Sequence, residues 1–371
     1  MEQIHAIEPA AGNTNVVELA APNGQPNALE AFGIRTLSQL KQRIASLGKT
    51  EFLIDGLMSE RSLTLVVGDS GIGKSPLVYQ ALLCFSACVP FVGKKVRQGR
   101  TLYMDGENGV QDVAGIVSQL AKHLGVATTP ADLLLWNLND CAEDWKPDGR
   151  HLLDLIRAAK PDVVALDPLS AIFPGIEQDN PTATAAFQEL RGIMRECGCS
   201  FICVHHPRKY DASQITKENS LEFATNLPRW FDSARGPRAL INGSDLRIGV
   251  EPPFGTNPNE PELIVRGFRR AFGEFPMMRL SRVLDDDGEP VGYNRVGGAQ
   301  LLAANPEQQE AFKRLPDRFQ FRQAMEIYGK QNQATRDFLR KCISAGLLRQ
   351  PGKGCYEKIP PEAVQELRMV A

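Results

Sequence analysis

Eight consecutive residues, Gly68-Asp69-Ser70-Gly71-Ile72-Gly73-Lys74-Ser75, carry the sharpest chemistry in the chain. They spell G-x-x-x-x-G-K-S. Such glycines let backbone N–H groups turn inward onto phosphate oxygens. Lys74 is placed to reach the β- and γ-phosphates of ATP, and the Ser75 hydroxyl to hold Mg²⁺. The flanks agree with the motif. Ser62-Leu63-Thr64-Leu65-Val66-Val67 is a β-rich apolar run ending at Gly68, and the residues from Pro76 onward read as a helix with its proline in the first turn. Strand, glycine loop and helix are the setting a nucleotide-binding loop needs, so Gly68 to Pro76 form the candidate cradle.

Other residues could complete a hydrolytic site. Asp167 ends the apolar run Val163-Val164-Ala165-Leu166, which suits a carboxylate that orients the Mg²⁺ shell. Glu107 lies just beyond another apolar strand, in Tyr103-Met104-Asp105-Gly106-Glu107-Asn108, where it could polarise an attacking water; Asp105 is the local competitor. His205-His206 follows a further buried run, and a histidine there could sense the γ-phosphate. A zinc site with Cys197, Cys199 and Cys203 is the rival reading, although their spacing matches no trusted zinc pattern. Arg235, Arg238, Arg269 and Arg270 are candidates for stabilising charge on the γ-phosphate, Arg235 foremost.

This set resembles RecA-like ATPases, and more closely the RepA-like branch of plasmid-type hexameric replicative helicases. The resemblance rests on GDSGIGKS at 68–75, YMDGEN at 103–108, ALDPLS at 165–170, CVHHPRK at 203–209 and ARGPRAL at 234–240, and spans roughly residues 50–280. It implies a ring, usually a hexamer, with ATP between subunits. It also implies Glu107 as general base, His206 as γ-phosphate sensor and Arg235 as arginine finger. Small or apolar residues often follow the finger in that branch. Here Gly236-Pro237-Arg238 follows, which leaves the finger between Arg235 and Arg238. The motifs are specific for an ATPase core and weak for unwinding.

The elements that must position these residues alternate. Strands are expected at 100–104, 133–136, 162–166 and 200–204, with helices at 110–124, 149–159 and 181–196. That alternation implies a mostly parallel sheet flanked by helices, an α/β fold with ligands beyond the carboxyl ends of the strands. Gly68, Glu107, Asp167 and His206 all follow such strands, so the fold should gather them at one edge. Residues 262–296 read as antiparallel strands extending the sheet, with Asp285-Asp286-Asp287-Gly288 as a turn. A helix is expected over 36–47, and residues 1–33, without Lys or Arg, read as a mobile tail. The ATPase core is thus expected over 34–300.

Beyond a linker near Ala303-Ala304-Asn305-Pro306, three short helices and a glycine-tipped hairpin follow, the pattern of a winged helix over 306–371. This stretch carries 12 Lys or Arg against 8 Asp or Glu, a local net charge of +4. Thr335, Arg336, Arg340 and Lys341 would line its recognition helix and Lys353 its wing, facing DNA or a protein partner. The chain as a whole has a net charge of −2, so any nucleic-acid contact must come from such local patches. Its 8 cysteines do not form a disulfide pattern; Cys84, Cys88 and Cys203 sit in apolar runs that suit reduced, packed thiols. No signal peptide or membrane-length apolar run is visible, and a cytoplasmic protein is expected.

Overall fold

The computed structural model describes residues 34–47, 51–126, 132–141, 149–208, 223, 226–252, 262–270, 273–285, 290–296, 306–344, 347–352 and 354–358. The expected tail, the linker at 303–305 and the turn at 286–288 lie outside these residues.

Helix α1 (Leu37–Leu47) belongs to a first compact unit. Its start is a capping box. Thr36 Oγ1 accepts the Gln39 N–H at 3.2 Å, and Gln39 Oε1 accepts the Thr36 N–H at 2.8 Å.

The second unit runs from Glu51 onward. It opens on a small antiparallel pair, β1 (Phe52–Ile54) and β2 (Met58–Ser59). The alternating section follows: β3 (Leu63–Gly68), α2 (Lys74–Ala87), β4 (Thr101–Asp105), α3 (Val110–Leu124), β5 (Leu133–Asn137), α4 (Gly149–Ala159), β6 (Val163–Asp167), α5 (Leu169–Ile172), α6 (Asn180–Cys197) and β7 (Ser200–His205). Two short helices, α7 (Leu227–Phe231) and α8 (Ala239–Gly243), lead to β8 (Leu246–Glu251). The antiparallel strands β9 (Glu262–Arg269), β10 (Gly273–Leu284) and β11 (Pro290–Arg295) complete the sheet.

The nine strands lie in the order β11-β10-β9-β8-β3-β7-β6-β4-β5. From β8 to β5 every pairing is parallel; from β8 to β11 every pairing is antiparallel. The fold is therefore the expected α/β architecture, a mostly parallel sheet flanked by helices. Parallel strands covered by helices on both faces must be apolar on both sides, and β3, β4, β6 and β7 are buried at every position. One face packs against α2 and α3 through Val66, Tyr103, Ala165 and Val204. The other packs against α4, α6, α7 and α8 through Leu65, Met104, Leu166 and Cys203.

The C-terminal residues form a separate small core. It comprises α9 (Pro306–Arg314), β12 (Arg318–Gln320), α10 (Phe321–Tyr328), α11 (Asn332–Ser344), β13 (Leu348–Gly352) and β14 (Cys355–Lys358). The strands form an antiparallel sheet in the order β12-β14-β13, and α11 touches β10. Among the described residues no helix is long and apolar enough to cross a membrane. None of the eight cysteines is joined in a disulfide. Cys84 and Cys203 are buried as expected, but Cys88 is exposed, because it caps the end of α2 in a left-handed conformation.

Candidate functional site

The loop between β3 and α2 is built to meet an anion. Gly71 and Gly73 adopt φ of 73° and 100°, and Gly73 is the N-cap of the 14-residue helix with no side-chain cap. Helix N-termini leave backbone donors unsatisfied, and the helix dipole favours negative charge there. Lys74 is buried, and its Nζ donates to the Asp69 carbonyl at 2.7 Å. Burial lowers its pKa, against the opposing pull of Asp167, Asp69 and Glu107.

Asp105 and Asp167 end neighbouring strands and are register partners. Strand alternation puts both on the α2 face, because Tyr103 and Ala165 precede them by two residues. Ser75 is hydrogen-bonded to the Asp167 carboxylate, and so is the Tyr103 hydroxyl. Burial pushes Asp167 up to about 6, while Ser75, Tyr103 and Lys74 pull it down and Asp105 pushes it further up. A hydroxyl and a carboxylate joined beneath a phosphate cradle are hard oxygen donors. They fit Mg²⁺, which takes one or two protein oxygens and lets phosphates supply more. Among the described residues no group of three or more His, Cys, Asp or Glu could hold a metal by itself. The zinc reading with Cys197, Cys199 and Cys203 therefore has no support. Cys199 and Cys203 are buried, and burial raises both thiols.

The two acids at the end of β4 divide cleanly. Asp105 is buried, and its carboxylate is consumed locally. Oδ1 accepts the N–H groups of Glu107 at 2.9 Å and Asn108 at 2.8 Å, while Oδ2 accepts Asn108 Nδ2 and the Tyr79 hydroxyl, each at 2.8 Å. Asp105 thus builds the turn that presents Glu107, whose own side chain is exposed at the strand end. Tyr79 and Tyr103 stack face to face at 3.6 Å between the two aspartates.

His206 is half-buried, with Nδ1 3.4 Å from Lys74 Nζ. Burial, with the charge of Lys74 next, lowers it to about 4, so the imidazole is neutral near pH 7. His205 is buried and turns the other way, with Nε2 donating to the Arg235 carbonyl at 2.6 Å. The Arg235 N–H donates to the His206 carbonyl at 3.0 Å. The histidine pair and Arg235 are therefore one tied unit of backbone.

The four candidate arginines separate. Arg235 is largely exposed, with Nε 2.9 Å from Glu177 Oε2, and Arg238 is also exposed and pairs with Asp232 at 3.2 Å. Arg269 donates to the Gly56 carbonyl at 2.9 Å, and Arg270 to the carbonyls of Asn242 and Ser244; both brace the fold. Gly236 has φ 88° and backs onto Glu177 so closely that a Cβ would lie 2.9 Å from its Cα, which explains the glycine after Arg235.

In the C-terminal unit, Arg336 and Arg340 are exposed on α11. Arg336 lies over the Phe321 ring at 5.6 Å, and Arg340 is 3.4 Å from Asp337. Thr335 does not line this surface. It is buried, and its hydroxyl bonds back to the carbonyls of Lys330 and Gln331, each at 3.2 Å. Lys353 and the side chain of Lys341 lie outside the described residues. Sequence reading did not single out Tyr79, Tyr103 or Glu177 as site neighbours. Period-two alternation along β4 would have found Tyr103; nothing local marks Glu177.

A family model described as an AAA domain matches residues 32–212. The chain is similar to the DNA repair protein RadA of Pseudomonas aeruginosa, 25% identical over 253 residues. That match covers 65% of this chain and 50% of the relative, so the chain spans about half the length of the relative it matches. The crystal structure of the RadB recombinase aligns with 16% identity and a TM-score of 0.42, covering 64% of this chain and 91% of that one. The phosphate loop at 68–75 and the strand ends at Asp105 and Asp167 lie inside the matched domain.

Proposed function

We propose that this chain is an oligomeric, DNA-associated ATPase, acting as a motor of the RepA-like replicative helicase kind. One observation supports this most: Lys74, the Ser75–Asp167 pair, Glu107 and His206 converge at the carboxyl edge of four adjacent strands. Mg²⁺ bound at Ser75 and Asp167 would neutralise charge developing on the β- and γ-phosphates. Lys74 would exchange the Asp69 carbonyl for phosphate oxygens. Glu107, exposed and held by the Asp105 turn, would accept the proton of the attacking water. Neutral His206 would hydrogen-bond the γ-phosphate. Its backbone bond to Arg235 gives the sensed state a route to the neighbouring subunit, where Arg235 or Arg238 would act as finger.

The C-terminal order of helix, strand, two helices and hairpin supports a winged helix, with Arg336 and Arg340 toward nucleic-acid phosphates. Arg336→Ala with Arg340→Ala should weaken DNA binding. The slope of log affinity against log salt should also fall by about one for each phosphate no longer neutralised. Binding unchanged at every salt concentration would assign the module to protein contacts.

A second reading, an ATP-switched DNA regulator or loader, is favoured by the curated relative, which is named a repair protein and not a helicase. The deciding experiment measures ATP turnover with and without single-stranded and duplex DNA, beside strand displacement, with Glu107→Gln as control. DNA-stimulated turnover with displacement supports the motor. Stimulation without displacement supports the switch. Turnover indifferent to DNA removes both.

A further inference from the structure

The backs of the phosphate-loop peptides are held by the far end of the sheet. Arg282 on β10 donates from Nη2 to the Ile72 carbonyl at 2.6 Å, and the Tyr293 hydroxyl on β11 donates to the Gly73 carbonyl at 2.9 Å. The two residues are direct cross-strand partners, and Arg282 is also hydrogen-bonded to the Tyr293 side chain. Tyr293 is 2% exposed, and its phenol stays protonated because burial pushes it up to about 12. Its backbone is pinned in turn. Gln80 of α2 donates to the Tyr293 carbonyl at 2.9 Å and accepts the Tyr293 N–H at 2.8 Å. A Cβ on Gly73 would collide with the Tyr293 hydroxyl, so glycine at this position serves the contact as well as the left-handed turn.

A peptide unit is planar and trans, so its C=O and the following N–H point in opposite directions. Holding the Ile72 carbonyl outward aims the Gly73 N–H inward. Holding the Gly73 carbonyl outward does the same for the Lys74 N–H. We propose that Arg282 and Tyr293 are positioning residues that pre-orient the phosphate-binding amides of the loop from behind. The antiparallel hairpin β10–β11 is then a working part of the nucleotide site, and its role rests on the ATPase reading above. Preorganised donors lower the ordering cost that binding would otherwise incur.

The test has two readouts on the full chain. The first is amide hydrogen exchange across residues 68–77 without nucleotide. The second is MgADP affinity by calorimetry, beside kcat and KM for MgATP. Tyr293→Phe and Arg282→Gln are compared with the wild type, and Leu280→Val, a core change on β10, controls for simple loss of stability. Tyr293→Phe should speed loop exchange and weaken MgADP about fivefold, the factor one hydrogen bond carries. KM should rise with kcat little changed, and Leu280→Val should leave loop exchange and affinity alone. Wild-type loop exchange in folded Tyr293→Phe and Arg282→Gln proteins overturns the proposal. So does equal loosening in Leu280→Val. A wild-type chain that binds no nucleotide would sink the ATPase reading instead, and loop exchange would still decide whether the clamp exists.

Discussion

Asp105 and Asp167 stand side by side on one face of the sheet, both buried and both touched by a tyrosine hydroxyl, yet their surroundings differ. Asp105 is satisfied by four donors, three of them from Glu107 and Asn108 in its own turn. The Asp167 carboxylate is met by two hydroxyls, those of Tyr103 and Ser75, and its pKa is raised to about 6. A carboxylate filled by donors, most of them from its own turn, is a structural part. One left short of donors in a low-dielectric site is open to a cation. The lesson is that burial and sequence context do not separate the two roles, whereas the donor count does.

The sharpest break of this comparison is at the residue Asp105 presents. Glu107→Gln should lower kcat by roughly 10²- to 10⁴-fold, the usual contribution of a general base, with nucleotide affinity retained. Unchanged turnover would return the base role to another group. Next in size is the aspartate pair. Asp167→Asn should cut kcat/KM on the order of 10²-fold and raise the Mg²⁺ concentration for half-activation, because it removes the carboxylate that faces Ser75. Asp105→Asn should instead cost about 1–3 kcal/mol of stability, since two donors then face an amide N–H₂. Its Mg²⁺ requirement should stay at the wild-type value. Metal titration and thermal melting on both variants check this. A shifted Mg²⁺ requirement in Asp105→Asn would erase the distinction.

Much of this edge was legible in the sequence, for a physical reason. The phosphate loop, Glu107, Asp167 and His206 each follow a run apolar enough to be a doubly covered strand, and parallel strands bring such ends together. What stayed hidden depends on distant pairing. Arg282 meets Ile72 across 210 positions and Tyr293 meets Gly73 across 220, so no local pattern announces either. Strand β8, the neighbour of β3, went unread because Leu246-Arg247-Ile248-Gly249-Val250-Glu251 is short and mixed in polarity. Thr335 misled because its position on α11 says nothing of direction; its hydroxyl is satisfied within the preceding turn, which lets it bury.

A third strand end extends the comparison with a smaller effect. Glu251 closes β8, and its carboxylate accepts the Trp230 indole N–H. Burial raises it from the usual 4.5 to about 7, with Asp69 adding to the shift and Trp230 opposing it. By donor count it belongs with Asp167, not Asp105. The folded chain then binds a proton here between pH 4.5 and about 7 that the unfolded chain has released. Folding stability from this group is therefore fully present below pH 4.5 and is lost as pH rises through about 7. Glu251→Gln removes the titration and keeps an acceptor for Trp230. The wild-type Tm should fall more than that of Glu251→Gln between pH 5 and pH 8, on the order of a few degrees. Parallel Tm profiles would mean that Glu251 gains enough donors when folded to offset its burial, and would end its likeness to Asp167.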